Sequence, residues 1–227
     1  MLLVLSPDLS CLSNLQKGAD MAGRYMKPIK SEKMLDLIKS QISESAATKT
    51  AILNDSSITD AINRAAQACI KAYRNGGKTL FAGNGGSAAD AQHLAGEFVS
   101  KFYFDRPGLP SIALTTDTSI LTAIGNDYGF DRLFARQVQA QGVSGDVFIG
   151  ISTSGNSTNI VEAIKECKEK GILTVSMTGA KPCLMDEADI VIKVPSTSTP
   201  RIQECQTMIG HIICCIVEQD IFGHLKK

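Results

Sequence analysis

TLFAGNGGSAADAQHLAGE, residues Thr79 to Glu97, decides the fold of this chain. The short apolar run Thr79–Ala82 predicts a buried strand, the glycines after it predict a tight turn, and the remainder predicts a helix. In such a unit, free backbone N–H groups converge on an anion and the helix dipole favours its charge. The helix carries His93 and Glu97 four residues apart, so both side chains lie on one face. The stretch therefore predicts an anion site beside an acid–base or metal-binding pair.

Two common phosphate-binding motifs do not fit this glycine-rich turn. GxxxxGK[ST] is absent, and the dinucleotide fingerprint GxGxxG would need a glycine where Ala88 stands. Glycines also occur in such turns simply because a turn packs tightly on its strand. The functional interpretation therefore needs support from other parts of the chain.

The rest of the chain alternates between strand and helix patterns after two helices at Ser31–Asn54 and Ser57–Arg74. The predicted strands are Lys78–Ala82, Ser111–Leu114, Asp146–Ile151, Ile172–Met177 and Ile190–Val194. The helical patterns between and after them are Ser87–Phe102, Thr118–Asn126, Asp131–Gln141, Ser157–Lys170 and Arg201–Phe222. Continuous apolar strands that alternate with helices predict an α/β fold: a five-stranded parallel sheet of flavodoxin-like type, with helices on both faces and additional N-terminal helices.

Domain organisation follows from the same patterns. Residues 1–30 have no clear period, and we expect them to be poorly ordered or an upstream extension. Residues 31–227 are predicted to form a single domain with an N-terminal helical extension. The start, MLLVLSPDLSCL, has no basic region and a very short apolar run, so we expect no signal peptide. No stretch approaches a transmembrane span, and we expect no membrane partner.

Composition excludes further classes of function. Lys and Arg together number 23, as do Asp and Glu, so the formal net charge is zero, and no basic block stands out. We therefore expect no nucleic-acid partner. The seven cysteines form no CxxC pair, which predicts buried thiols in a reducing compartment and hence a cytoplasmic protein. A cysteine-based metal site is not expected on this spacing.

A second polar turn is predicted at the carboxyl edge of the sheet, where ligands of such folds bind. Ser152-Thr153-Ser154-Gly155-Asn156-Ser157 follows the strand VFIGI and precedes a helix. Its hydroxyls and the helix N-terminus can hold a phosphate without Lys or Arg. The alternative is that Ser157 only caps the helix. One serine needs no more than that, but four hydroxyls beside a glycine-rich turn favour a phosphate site.

His211 lies in the apolar helical segment MIGHIICCIV, where a lone histidine is most often a core residue. Gln203 precedes it by eight residues, about 12 Å along a regular helix. One metal or substrate atom would be hard for both to reach from the same helix. Either the helix is irregular near Gln203, or His211 serves a site in a neighbouring subunit.

Three motifs together resemble a known family: GNGGSAADAQH, ISTSGNS, and RIQE with a histidine eight residues after its glutamine. The chain is similar to the sugar isomerase (SIS) domain family and, more narrowly, to the phosphoheptose isomerases. The likeness extends from about Ser31 to the C-terminus. It implies an SIS-type sheet and an aldose–ketose isomerase that converts sedoheptulose 7-phosphate to D-glycero-D-manno-heptose 7-phosphate through an enediol(ate). This reaction is the first step of heptose biosynthesis for the lipopolysaccharide core.

The resemblance also implies the roles of individual residues. Glu97 matches the catalytic base and His211 its acid–base partner. A zinc ion, one per subunit, would be held by His93, Glu97, Gln203 and His211. The substrate would be bound by Asn84, Gly85, Gly86, Ser87, Glu97, Asn126, Asp127, Ser152, Thr153, Ser154, Ser157 and Gln203.

The family implies a homotetramer with active sites between subunits. The last helix is apolar nearly all round from Ile212 to Val217, which independently predicts burial on more than one side. Two other functions compete with the isomerase. A non-catalytic SIS adaptor of the type that binds the bacterial replication initiator lacks the Glu and the second His found here. A sugar-phosphate-sensing regulator would carry a DNA-binding segment, and no helix-turn-helix is evident.

Overall fold

The computed structural model describes residues 31–226. The expectations for the N-terminal thirty residues lie outside this range. The described helices are α1 (Ser31–Asn54), α2 (Ser56–Arg74), α3 (Gly86–Val99), α4 (Thr118–Tyr128), α5 (Ala135–Gln141), α6 (Thr158–Glu169) and α7 (Thr199–Phe222). The strands are β1 (Thr79–Gly83), β2 (Ser111–Ala113), β3 (Val147–Ile151), β4 (Leu173–Thr178) and β5 (Ile190–Lys193). Short 3₁₀ turns lie at Phe130–Arg132, Leu184–Glu187 and Gly223–Leu225.

The five strands form one sheet in the order β2-β1-β3-β4-β5, and every pair is parallel. The predicted fold class is thus confirmed, including the flavodoxin-like order. Strand β2 lies on one side of β1, and strands β3, β4 and β5 follow in order on its other side. Ligands of such sheets bind beyond the carboxyl ends of the strands at this switch point, here between β1 and β3.

Helices cover both faces of the sheet because successive strand residues point to opposite sides. Phe81 packs with Phe98 and Ile209 in the core that α2, α3 and α7 cover. Its neighbour Leu80 packs with Phe148 and with residues of α5 and α6 in the second core. Strands β1 and β3 are buried along their whole length, as their continuous apolar sequences predict.

The chain divides into two compact units at Ser43, within α1. In the first unit, the predicted apolar stripe is exposed: Leu35, Ile38 and Ile42 each expose more than half of their surface. In the second unit, α1 buries only Thr48 and Ile52. The start of α1 therefore presents an apolar stripe that is exposed among the described residues.

Two helix boundaries differ from the sequence-based expectation. Helix α3 was predicted to reach Phe102 but ends at Val99. The cause is a side chain outside the helix: the guanidinium of Arg106 donates to the backbone oxygens of Glu97, Phe98 and Ser100, which a continuing helix would use itself. The carbonyl groups thus find their hydrogen bonds outside the helix.

The predicted helix Asp131–Gln141 is divided into a 3₁₀ turn, Phe130–Arg132, and α5. Leu133, Phe134 and Ala135 are consecutive and all buried. Three successive residues cannot share one face of a regular helix. The break between the two pieces lets all three contact the core.

Helix α7 also corrects an expectation. By length and composition, Thr199–Leu225 passes as a membrane-crossing helix, so the view that no stretch approaches such a span is wrong on that measure. The helix buries Ile209, Cys214 and Val217 and also holds the buried carboxylate of Glu218. It packs against α2 and α3, as the core helix of an α/β domain does.

Candidate active site

The turn after β1, Gly83–Ser87, is named the Gly turn. Gly85 has φ of +54°, a left-handed conformation that glycine adopts without a steric penalty. A Cβ built on Gly83 would lie 2.3 Å from the carbonyl oxygen of Ser87, so only glycine fits there. The chain therefore turns tightly into α3, and the free N–H groups at the start of that helix face the carboxyl edge of the sheet.

Asn84 of the Gly turn forms a reciprocal amide pair with Asn159, which lies in the first turn of α6. Each side-chain nitrogen donates to the oxygen of the other residue at 2.9 Å. Asn159 is 1% exposed, so the pair is largely shielded from water. The pair ties the turn after β1 to the helix that follows β3. The side chain of Asn84 is thus engaged in this pair, and its carbonyl oxygen accepts from the backbone N–H of Ser87 at 3.0 Å.

The turn after β3, Ser152–Ser157, is named the hydroxyl turn. Ser157 occupies the N-cap position of α6, but its side chain makes no capping hydrogen bond. Its hydroxyl instead lies 3.0 Å from the hydroxyl of Ser152, and Ser154 lies 3.5 Å from Ser152. The capping alternative therefore does not explain Ser157. Three hydroxyls converge at a helix N-terminus, as a neutral phosphate site requires.

A cavity of about 310 Å³ opens beside the hydroxyl turn. Thr153 and Ser154 line it from the hydroxyl turn after β3, Lys181 from the loop after β4, and Thr197 from the loop after β5. All of these loops leave the carboxyl edge of the sheet. The fold thus provides a polar cavity at the edge where the sequence predicts ligand binding.

The third part of the site is named the His–Glu–His cluster and consists of His93, Glu97 and His211. The Nε2 atoms of the two histidines are 2.7 Å apart, and Nε2 of His93 is 3.5 Å from Oε1 of Glu97. One potential ligand atom from each residue lies within 4.8 Å of the others. The ring of Phe102 lies 5.5 Å from that of His211. The interpretation of His211 as a plain core histidine is therefore wrong.

The cluster forms within one chain, because α7 packs against α3. Helix α7 is a continuous α-helix of 24 residues, so the alternative of an irregular helix near Gln203 is wrong. Gln203 is not beside the cluster but at the Gly turn: a Cβ built on Gly86 would lie 2.5 Å from its Nε2. His211 consequently meets Glu97 of its own chain, and the idea that it completes a cluster on a neighbouring subunit is not supported.

Asp90 and Thr207 support the cluster, and sequence reasoning missed both. The hydroxyl of Thr207 donates to Oδ1 of Asp90 at 2.7 Å, which joins α7 to α3. Burial raises the pKa of Asp90, although the Thr207 hydrogen bond and the nearby His93 and His211 oppose the rise. The helical spacing could have revealed them: Asp90 lies three residues before His93, and Thr207 lies four before His211.

Asn126 and Asp127 stand apart from these groups. Both are exposed near the end of α4, where the Asn126 amide donates to Asp127 at 2.7 Å. Within residues 31–226, no recorded hydrogen bond or ion pair joins them to the Gly turn, the hydroxyl turn or the His–Glu–His cluster. Any role in substrate binding would require a ligand that reaches α4, or a second copy of the chain.

A flavodoxin-like parallel sheet with two polar turns at its switch point, and a carboxylate–imidazole cluster on α3 and α7, is typical of the SIS class of sugar-phosphate isomerases. A sequence profile described as SIS domain matches residues 43–179. Phosphoheptose isomerase 2 of Campylobacter jejuni is 63% identical over 193 residues, which are 85% of this chain and 96% of that protein. Phosphoheptose isomerase of Aneurinibacillus thermoaerophilus is 63% identical over 190 residues, 83% of this chain and 96% of that one.

A solved structure gives the same result. Phosphoheptose isomerase from Neisseria gonorrhoeae superposes with a TM-score of 0.76 at 39% identity, over 82% of this chain and 99% of that one. The chain belongs to the phosphoheptose isomerase family of SIS-domain enzymes, as the three sequence motifs predicted.

Proposed function

We propose that this isomerase interconverts sedoheptulose 7-phosphate and D-glycero-D-manno-heptose 7-phosphate in the cytoplasm, as the first step toward the heptose of the lipopolysaccharide core. The observation that carries this proposal is the His–Glu–His cluster, whose acid–base groups lie on the same two helices as the anion-binding Gly turn and Gln203. An aldose–ketose isomerase needs one group to move a carbon-bound proton and another to move protons between oxygens. The cluster offers a carboxylate and imidazoles for these tasks.

Phosphate recognition is assigned to neutral donors. The hydroxyls of Ser152, Ser154 and Ser157 converge at the start of α6. Thr153 and the backbone of the Gly turn complete the set, with Ser87 at the start of α3. Hydrogen bonds to a charged group are each worth about 1.5–3 kcal/mol, so several of them hold a phosphate without a lysine or arginine. From this phosphate site, the sugar chain of the substrate extends toward the His–Glu–His cluster.

The proton transfers balance within the substrate and the enzyme. The Glu97 carboxylate takes a proton from C1 of the ketose, and the electron pair of that C–H bond forms the C1–C2 double bond. The C2 carbonyl oxygen takes a proton from His211 and becomes a hydroxyl. The O1 hydroxyl then returns a proton to His211 as the C1 aldehyde forms, and C2 takes a proton from Glu97. No external oxidant or reductant is needed.

The cluster also fits a zinc ion, one per subunit. Two imidazoles and a carboxylate are a donor set that Zn²⁺ favours. The Nε2 atoms of His93 and His211 face each other at 2.7 Å, so these two imidazoles and the Glu97 carboxylate would hold the ion. When bound, zinc would polarise the substrate carbonyl. Glu97 cannot bind the ion and act as a free base at the same moment.

Gln203 remains a proposed substrate and metal residue, and its position supports a shared site. It lies eight residues before His211 on a regular helix, about 12 Å away. A single ion bound by both would therefore take its Gln203 ligand from another chain. The proposed homotetramer, with active sites between subunits, would meet this requirement and would also let Asn126 and Asp127 reach a neighbour's sugar.

The direct test is incubation of the purified protein with sedoheptulose 7-phosphate, following the aldose C1 proton by NMR. We expect the aldose signal to appear, and we expect dephosphorylated sedoheptulose to be turned over far more slowly because it lacks the anion. No aldose signal from a folded preparation with added Zn²⁺ would contradict the proposed reaction. Equal turnover of the two sugars would contradict the phosphate site alone.

A further inference from the structure

Arg106, in the loop after α3, and Glu218 of α7 form a buried ion pair. Each side chain is 1% exposed, and Nε of Arg106 lies 3.1 Å from Oε1 of Glu218. Arg106 directs its other donors at the end of α3: Nη2 donates to the carbonyl oxygen of Glu97 at 2.8 Å, and Nη1 to that of Phe98 at 2.6 Å. The guanidinium therefore binds the backbone of the proposed catalytic base itself.

Glu218 connects the same pair to the partner histidine. Its two oxygens accept from the backbone N–H groups of Phe102 and Tyr103 at 2.8 and 2.7 Å. Phe102 in turn lies against the ring of His211. Glu218 is seven residues, or about two helical turns, after His211 on α7, so both lie on the same side of that helix.

We propose that the Arg106–Glu218 pair is a positioning pair for the isomerase, which holds Glu97 and His211 at the separation that proton transfer requires. This inference rests on the proposed function of those two residues. The pair joins the end of α3, the loop at Phe102 and the last turns of α7 in one hydrogen-bonded unit. A change in it moves Glu97 relative to His211 while leaving both side chains intact.

Stability alone does not account for this arrangement. Burying two charges costs several kcal/mol in desolvation. Replacing such a pair with well-packed apolar residues therefore often leaves a protein equally stable or more stable. Four hydrogen bonds of this pair fall on the backbone of residues that belong to the cluster, adjoin it or contact it: Glu97, Phe98, Phe102 and Tyr103. Displacing reacting groups by about 1 Å can cost about 100-fold in rate, so a rigid pair at this place has a direct catalytic value.

Asp146 provides a matched control. It is 1% exposed, is paired with the Lys78 ammonium at 2.6 Å, and accepts from the backbone N–H groups of Lys78 and Val143. It thus has one cation and two backbone donors, as Glu218 has. It immediately precedes β3, at the amino edge of the sheet, whereas the anion turns lie at the carboxyl edge. Loss of its charge should reduce stability without moving the cluster.

The experiment compares Glu218→Gln, Arg106→Lys and Asp146→Asn in the full chain. Melting temperature, kcat and KM for sedoheptulose 7-phosphate, and affinity for Co²⁺ read from its visible absorption, are measured for each. We expect Glu218→Gln and Arg106→Lys to lower kcat and Co²⁺ affinity about 10- to 100-fold, with KM nearly unchanged. We expect Asp146→Asn to lower only the melting temperature.

Two outcomes overturn the inference. One is kcat and Co²⁺ affinity within twofold of wild type in a folded Glu218→Gln or Arg106→Lys protein. The other is an equal loss of both quantities in Asp146→Asn, which would mark a general stability effect. The wild type is assayed first: if it does not isomerise the sugar, the proposed function fails, and the Co²⁺ affinities still decide whether the pair positions the cluster.

Discussion

Glu97 is the residue on which the proposed chemistry depends most. Replacing it with glutamine keeps its shape but removes the proton acceptor. General-base catalysis contributes about 10²–10⁴-fold, so Glu97→Gln should lower kcat by at least 100-fold with an unchanged melting temperature. Glu169→Gln is the control, because Glu169 is exposed at the end of α6, away from the cluster. A folded Glu97→Gln enzyme with near-normal kcat would remove this residue from the mechanism.

The reciprocal amide pair gives a second prediction for individual residues. Removing either partner leaves the other with unpaired polar atoms, which costs about 1–3 kcal/mol when they are buried. We expect Asn84→Ala and Asn159→Ala each to lower the free energy of unfolding in urea by about that amount. The double variant should lose less than the sum, because contacting residues couple by about 0.5–3 kcal/mol. Strict additivity would show that the two amides do not act as a pair.

The limits of sequence reasoning are clear from the same residues. Individual motifs were sufficient to identify the Gly turn, the hydroxyl turn and the candidates His93, Glu97 and His211. Their mutual distances were not predictable, because they depend on how α7 packs against α3. Asn159 was missed for a similar reason: its partner lies 75 positions away in the sequence. Contacts of that range leave no local pattern.

At the scale of elements, the alternation of apolar strands and amphipathic helices predicted the sheet well. Strand identity is a local property, since buried parallel strands are continuous apolar runs. Helix ends were less predictable where tertiary contacts determine them. The early end of α3 depends on Arg106, and the break before α5 depends on three adjacent residues that all face the core.

Helix starts provide an element-scale prediction, because α2 and α6 begin differently. Asp55 caps α2 through hydrogen bonds from the backbone N–H groups of Ser57 and Ile58, whereas the hydroxyl of Ser157 makes no such bond at α6. Ser157→Ala should therefore raise KM about 10- to 100-fold, the loss of one charge-assisted hydrogen bond, at an unchanged melting temperature. Asp55→Ala should lower the melting temperature at an unchanged KM.

The pH dependence of the α2 cap has a definite sign. The Ser57 hydroxyl holds the pKa of Asp55 below its ordinary value of 3.8. The stability that this carboxylate contributes is thus present at neutral pH and is lost as the pH falls through the lowered pKa. The difference in melting temperature between wild type and Asp55→Ala should accordingly shrink in strong acid. The opposite result at α6 would contradict the prediction for the helix starts. If Ser157→Ala lowered the melting temperature and left KM unchanged, Ser157 would be a plain cap.

At the scale of the whole molecule, the proposed sharing of the site between chains, with Gln203 near the start of α7 and His211 in its middle, can be tested. Mixed tetramers of Glu97→Gln and Gln203→Ala should regain partial activity, because some sites combine an intact cluster from one chain with an intact Gln203 from another. Mixtures of Glu97→Gln and His211→Ala should regain none, because both residues belong to the cluster of a single chain.

The control for this experiment is subunit exchange, followed by mass spectrometry of chains that carry different tags. Light scattering should first give a particle of four times the chain mass of 24.2 kDa. Recovery in the second mixture would show that His211 acts across subunits after all. Failure of both mixtures, with exchange established, would confine each site to one chain and exclude Gln203 from the metal.

The reciprocal amide pair has one more consequence, which concerns the ageing of the protein. Asn84 is followed by Gly85, and an asparagine before glycine is prone to deamidation because glycine does not hinder attack of its backbone nitrogen on the side-chain amide. In this chain the amide of Asn84 is held by Asn159. Peptide mapping after prolonged warm storage should find Asn84 intact in the wild type and converted to aspartate in Asn159→Ala. The converted residue would place a negative charge at the proposed phosphate site, so the pair that orders the turn also preserves its neutrality over the lifetime of the molecule.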